Sequence, residues 1–289
     1  MSSVSRTRLL AVILALSSVV GLVNPARAES GPNPCVGIAS DSNGYGHVTF
    51  QLGPEGDVGI IYVRPLWLIL QEELRKVGLS DLKVIDRSLS AGGLTSSEET
   101  NYLKSIPYGN LTNDRCKFVI VGPFLPDVAA GKAQPAQYTG QLLRLVNGLL
   151  DKSANSTIFI LNFYETHRAE FTEHNAGVGL TPERIRAFNA QIALTCRPDG
   201  AIGRYPQVLC ADTQTFFEGM DTPYVLAETT QAQYEALVYR QTAFMTRVDS
   251  FFQANPNGVL IGDGIHLSLA GRERLMQRMA EWISRLMLI

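Results

Sequence analysis

Five short apolar runs, at residues 36–39, 82–85, 118–121, 157–161 and 207–211, are rich in β-branched side chains and lie far apart along the chain. Each is almost continuously apolar instead of alternating, the pattern of strands buried on both faces. The segments between them, 62–77, 96–104, 138–152, 182–194 and 230–253, read as helices. Strands separated by helices pair parallel through crossovers, so the expectation is an α/β fold with a parallel sheet covered on both sides. Thr181-Pro182-Glu183 has the order of an N-cap, a first-turn proline and a first-turn acid. Residues 268–287 carry Leu275, Met276, Met279, Trp282, Ile283 and Leu286 at helical spacing, a core-packing face. Without a repeat, a low-complexity tract or a charge block, one domain over residues 29–289 is expected.

Residues 1–28 have the layout of an export signal: Arg6 and Arg8, then an apolar stretch from Leu9 to Val23, then Ala26-Arg27-Ala28. Cleavage after Ala28 would make the protein periplasmic or secreted and shift the formal charge from −2 to about −5. That charge offers no basic surplus for nucleic acid, and no later segment is long and apolar enough to span a membrane. A monomer is the default.

An oxidising compartment favours disulfides for Cys35, Cys116, Cys196 and Cys210. Four cysteines allow three pairings. Cys196 and Cys210 flank a loop that a local bridge would close. Cys35 and Cys116 each precede a strand-like run, and a bridge between them is possible if those strands are neighbours. No metal site is expected, since neither Cys-x-x-Cys nor His-x-x-x-His occurs and the spacing of His167, Glu170 and His174 fits no zinc pattern.

Functional sites of open α/β sheets lie at the carboxyl ends of the strands. The first run ends in Ser40-Asp41-Ser42-Asn43-Gly44-Tyr45-Gly46, a serine on a glycine-rich turn whose amides can face an oxyanion. Near the other end stands Asp263-Gly264-Ile265-His266, in which a carboxylate three residues before an imidazole can hold its Nδ1 and leave Nε2 for a serine. Ser42, His266 and Asp263 are thus candidates for nucleophile, base and orienting carboxylate, and no cofactor is needed. Loop 162–171, with Asn162, Tyr164 and His167, would be a specificity loop on the same rim, where aromatic and polar side chains suit a sugar. His47 could also rim the site.

These motifs resemble the first and last blocks of the SGNH (GDSL-type) hydrolase superfamily, carried by Asp41-Ser42 with Gly46 and by Asp263-Gly264-Ile265-His266 leading into Ala270-Gly271. Residues 84–93, ending in Gly92-Gly93, look like the second block, and Asn189 is similar to an asparagine often found after the fourth strand. The resemblance implies a three-layer α/β/α sandwich with a flavodoxin-like parallel five-stranded sheet, and ester or acyl chemistry at a Ser42 acyl-enzyme. It also implies an oxyanion hole built from the N–H groups of Ser42 and of Gly92 or Gly93. Two positions depart from the pattern: Ser40 replaces a glycine, and Phe124 stands where the third block places an asparagine that donates to the oxyanion. Asn43 and Asn162 are candidate substitutes, and Phe124, bracketed by Pro123 and Pro126, could line an acyl pocket. The expected activity is an exported serine esterase acting on a carbohydrate or other small ester. An acyltransferase, or a non-catalytic carbohydrate-binding protein of the same fold, is the alternative.

Overall fold

The computed structural model describes residues 31–54, 56–90, 92–95, 100–129, 133–166 and 180–288. All five expected runs are strands of one parallel sheet: β1 (Asn33–Ala39), β4 (Lys83–Asp86), β5 (Cys116–Val121), β6 (Thr157–Leu161) and β7 (Val208–Ala211). Their order across the sheet is β4-β1-β5-β6-β7, the flavodoxin-like 2-1-3-4-5 arrangement. The order reverses beside β1, which pairs with β4 at Val36↔Val84 and with β5 at Val36↔Phe118. The crevice at such a reversal opens past the end of β1, directly before Ser42.

Helices cover the sheet in two groups. In one, α2 (Leu66–Lys76) packs on α10 (Leu269–Met287); in the other, α5 (Pro135–Lys152) packs on α3 (Ile106–Asp114) and α6 (Pro182–Thr195). The final helix buries Leu275, Met276, Met279 and Ile283, the face its sequence spacing marks. Thr181 caps α6 as expected, accepting a hydrogen bond from the Arg184 N–H.

A second, antiparallel sheet of order β8-β10-β2-β3-β9 is the main departure from the sequence reading. It comprises β2 (His47–Gln51), β3 (Val58–Val63), β8 (Glu228–Thr229), β9 (Val238–Arg240) and β10 (Leu260–Gly262). Val48, Phe50, Ile61, Val63 and Leu260 form a small core of their own with Val248 and Phe252 of α9 (Ala243–Ala254). Along β2 the burial alternates, with Val48 and Phe50 inside and His47 and Thr49 half-exposed, the period-2 mark of a one-sided strand.

Three helix boundaries change accordingly. The helix expected from residue 62 starts at Leu66, because Tyr62 and Val63 pair in β3 and Pro65 at the N-cap cannot donate to a preceding turn. The one expected over 230–253 is interrupted: α8 (Gln231–Leu237) gives way to β9, where Val238 pairs with Val63, before α9 begins. Of 96–104, residues 96–99 lie outside the described residues and Tyr102–Lys104 form a 3-10 turn.

Cys35 is bridged to Cys116 and Cys196 to Cys210. The first bridge joins the starts of neighbouring strands β1 and β5; the second closes the loop between α6 and β7. Among the described residues, no helix is long and apolar enough to cross a membrane. Residues 1–30, and with them the expected export signal, lie outside the described residues.

Candidate active site

Ser42 opens a single helical turn, α1 (Ser42–Tyr45), at the end of β1. Asp41 fixes that turn from below. One carboxylate oxygen accepts from the Asn43 N–H at 2.9 Å and the other from the Leu125 N–H at 2.8 Å, tying the turn to the loop after β5. Burial pushes the Asp41 carboxyl up, opposed by these two N–H bonds and by the His266 charge. Two glycines have steric reasons. A Cβ on Gly44 would stand 2.2 Å from the Ser88 hydroxyl, and Gly46, at φ 91°, ends the turn left-handed with its N–H on the Ser42 carbonyl at 2.8 Å.

The imidazole arrives from the second sheet. Strand β10 ends at Gly262, and the buried Asp263 organises the next turn by accepting from the N–H groups of Ile265 at 3.0 Å and His266 at 2.9 Å. Its other oxygen lies 2.5 Å from His266 Nδ1 and also accepts from the Thr49 N–H of β2 at 3.1 Å. Burial alone would raise the Asp263 carboxyl; the His266 charge and these donors outweigh it and hold it below the ordinary carboxylate range. A carboxylate can only accept, so Nδ1 carries the proton toward Asp263 and Nε2 is left as an acceptor. Ser42 Oγ lies 2.7 Å from that Nε2. Ser42 and His266, 224 positions apart in sequence, thus meet in one hydrogen-bonded chain, Ser42–His266–Asp263.

Buried polar groups lock the two motifs together. Asn43 Oδ1 accepts from the Leu267 N–H at 3.0 Å, and the Tyr164 hydroxyl donates to the Ile265 carbonyl at 2.9 Å. Arg272, fully buried, donates through Nε to the Leu267 carbonyl at 3.0 Å and through Nη1 to the Asn43 carbonyl at 2.7 Å. Burial lowers its guanidinium to about 10, which leaves it charged at neutral pH. Sequence reasoning passed over Arg272, because it is one of four arginines in the last helix and nothing local sets it apart from the others.

Several expected site residues take other roles. Asn43 is fully buried: its Oδ1 accepts from the Leu267 N–H and its Nδ2, also buried, meets no acceptor among the described residues, so the side chain braces the turn from inside. The Gly93 N–H is taken by the Thr100 carbonyl at 3.2 Å, whereas the N–H groups of Ser42 and Gly92 meet no acceptor among the described residues. Phe124 is fully buried against Tyr102, 5.1 Å between ring centroids, and so belongs to the core and not to a substrate wall. Asn162 is spent on Asp212 at 3.1 Å and on the Thr213 N–H at 2.7 Å, and the buried Tyr164 braces the histidine turn; neither presents a group to substrate. His167 lies outside the described residues, as do Glu170 and His174. Asn189 clamps the loop after β6, bonding both the N–H and the carbonyl of Phe163 at 2.9 and 2.7 Å. Asp127, three residues beyond Phe124, accepts from the N–H groups of Leu94 and Thr95, both at 2.7 Å, and so holds the Gly92-Gly93 loop.

Ser42 and His266 open onto a cavity of about 100 Å³, walled by Leu125, Pro126, Ala129, Leu180 and Ile265. The apolar turn after β5 therefore does line a pocket, through Leu125 and Pro126 in place of Phe124. Ligand pockets for drug-sized molecules run to roughly 300–1,000 Å³, so this one suits only a small apolar group.

No family model matches the chain, and no curated protein sequence matches it. Solved structures do. A carbohydrate acetylesterase from Sinorhizobium meliloti superposes with a TM-score of 0.56 at 13% identity, covering 87% of this chain and 99% of that one. A protein from Parabacteroides merdae described as a GDSL-like lipase gives 0.51 at 12% identity, covering 89% and 99%. Both are similar over almost their whole length to a chain whose sheet runs 2-1-3-4-5, with a serine after the first strand and an Asp-x-x-His turn before the last helix. The chain has the fold of the SGNH (GDSL-type) hydrolases.

Proposed function

We propose that the protein is an exported serine esterase that removes a short acyl group, such as O-acetyl, from a carbohydrate. One observation carries the reading: Ser42 Oγ lies 2.7 Å from His266 Nε2 while Nδ1 of the same ring is held by buried Asp263. In the first half-reaction Ser42 Oγ attacks the ester carbonyl carbon and passes its proton to Nε2. The carbonyl oxygen becomes an oxyanion opposite the N–H groups of Ser42 and Gly92. Collapse breaks the ester C–O bond, and the alcohol leaves with the proton from His266. Water then gives its proton to Nε2 and attacks the acyl carbon, releasing the carboxylic acid and restoring Ser42. With Phe124 in the asparagine's place, this hole runs on two backbone donors. One missing donor costs about 10²–10³ in rate, so a modest kcat is expected.

The small apolar pocket supports a short acyl group, and the carbohydrate acetylesterase among the similar structures favours a sugar as the alcohol. Export is supported by the signal-like residues 1–28 and two disulfides. A transferase would use the same acyl-enzyme with a sugar hydroxyl in place of water. The test is hydrolysis of p-nitrophenyl acetate by the protein lacking residues 1–28: the esterase reading requires turnover that Ser42→Ala abolishes, and turnover equal in both proteins removes it.

A further inference from the structure

One helical turn from Ser42, the surface carries a shallow hollow of about 70 Å³ that the chemistry above does not use. Its walls are Tyr45, Tyr62, Trp67 and Tyr239, and its polar groups are Asp86 and Arg240. The hollow is built jointly by the two sheets: Asp86 ends β4 on the rim of the parallel sheet, while Tyr62 of β3 pairs with Arg240 of β9 in the antiparallel one. Its floor is rigidly tied to the nucleophile turn, since the Val63 N–H donates to the Gly46 carbonyl at 2.8 Å and the Gly46 N–H to the Ser42 carbonyl.

The residues here are not those of an ordinary surface. Tyr45 and Tyr239 are each 39% exposed, and Tyr45, His47 and Tyr62 form an edge-on cluster with ring centroids 4.3–6.4 Å apart, so the aromatic faces are held in place before any ligand arrives. Asp86 accepts from the Ser88 N–H at 2.9 Å through one carboxylate oxygen, which fixes the carboxylate in the wall of the hollow. Arg240 makes no ion pair among the described residues and lies over the Tyr239 ring at 5.5 Å, presenting its fork of donors beside that ring. Rigid aromatic faces next to one acceptor and one planar donor match a pyranose, whose C–H face stacks while its hydroxyls bond carboxylate and guanidinium. An aryl or alkyl group would use the aromatic faces and leave both charged groups unanswered.

We propose that the exposed aromatic rim of this hollow is a sugar subsite, against which a glycosyl unit of the substrate stacks with only one edge entering the hollow, while the esterified hydroxyl reaches Ser42. The proposal rests on the esterase reading for its place in catalysis, but binding itself can be measured without turnover. Ser42→Ala protein is titrated calorimetrically with hexasaccharides of glucose, xylose, mannose and N-acetylglucosamine, with and without Tyr239→Ala or Arg240→Ala, both at exposed positions. Saturable binding of at least one sugar, weakened about tenfold or more by either substitution, is expected. On the Ser42 background the same two substitutions raise KM for the acetylated form of that sugar about tenfold and leave kcat/KM for p-nitrophenyl acetate within twofold. Binding by none of the four sugars, or binding and KM that ignore both substitutions, overturns the subsite. Tyr239-dependent sugar binding in a protein that hydrolyses neither ester keeps the subsite and removes the esterase reading; ester hydrolysis with no sugar binding does the reverse.

Discussion

Arg272 reaches the Asn43 carbonyl with Nη1 at 2.7 Å and the Leu267 carbonyl with Nε at 3.0 Å, so one buried guanidinium ties the residue after Ser42 to the residue after His266. The two motifs lie at opposite ends of the chain and on different sheets, and their 2.7 Å contact needs such a fastening. Arg272→Met would leave two buried carbonyls without these donors, at about 1–3 kcal/mol each. A melting temperature lowered by several degrees and a kcat reduced more than KM are expected, with Arg272→Lys recovering part of the loss. A kcat unchanged in a destabilised Arg272→Met protein would show that the contact serves folding alone.

Asp263 fixes both the tautomer and the pH response of the site. Asp263→Asn can no longer hold a proton on Nδ1 as a carboxylate does, and comparable tautomer errors cost about 10⁴ in kcat. The stability effect has a definite sign: a carboxyl depressed in the folded state contributes stability above its unfolded value of about 4, and that contribution is lost as pH falls through the folded value. Thermal melts at pH 7 should therefore separate wild type from Asp263→Asn most widely, and the gap should close as the pH is lowered below about 4. A gap that is constant with pH contradicts the depressed carboxyl.

The Asp127 carboxylate braces the loop that carries Gly92 through the N–H groups of Leu94 and Thr95 and the Thr95 hydroxyl. Asp127→Ala frees those donors beneath the proposed oxyanion site. A stability loss of about 1–3 kcal/mol is expected, together with a lower kcat at similar KM, measured by urea unfolding and steady-state kinetics. Normal kcat in the variant would mean that Gly92 is not held for catalysis by this carboxylate.

The two disulfides should differ in worth. Cys35–Cys116 spans 81 residues of sequence and Cys196–Cys210 spans 14. Chain-entropy arguments give about 4–5 kcal/mol for the longer loop and about 3 kcal/mol for the shorter. Paired serine substitutions followed by urea unfolding test the ranking. Alkylation of the unreduced protein, read by intact mass, should leave all four cysteines unmodified.

The pocket beside Ser42 sets an acyl limit. With about 100 Å³ between Leu125, Pro126, Leu180 and Ile265, p-nitrophenyl acetate should be hydrolysed with a far higher kcat/KM than the octanoate. Ala129→Leu should narrow the preference further, and equal rates on both chain lengths would mean that the acyl group sits elsewhere.

The parallel sheet was legible because strands buried on both faces announce themselves as apolar runs, and β1, β4, β5, β6 and β7 all fell where such runs stand. The antiparallel sheet was not, because Val48 and Phe50 alternate with polar Thr49 and the strands β8 and β9 are only two and three residues long. That Ser42, Asp263 and His266 would meet could be anticipated because each stands in a short local motif at the end of a strand. The fates of Asn43, Gly93, Phe124, Asn162 and Tyr164 could not, since each depends on a partner 7 to 224 residues away that only folding supplies. The hollow proposed as a sugar subsite shows the same limit: Tyr45, Trp67, Asp86 and Tyr239 are unremarkable in sequence and meet only where the two sheets join.

The most direct measurement of the nucleophile is covalent. The protein without residues 1–28 is incubated with a fluorophosphonate, digested and mapped by mass spectrometry, with Ser42→Ala and His266→Ala alongside. A single adduct on Ser42, absent from Ser42→Ala and formed far more slowly in His266→Ala, is the predicted result. An adduct on another residue, or labelling that persists in Ser42→Ala, would contradict the assignment of Ser42 as an activated nucleophile.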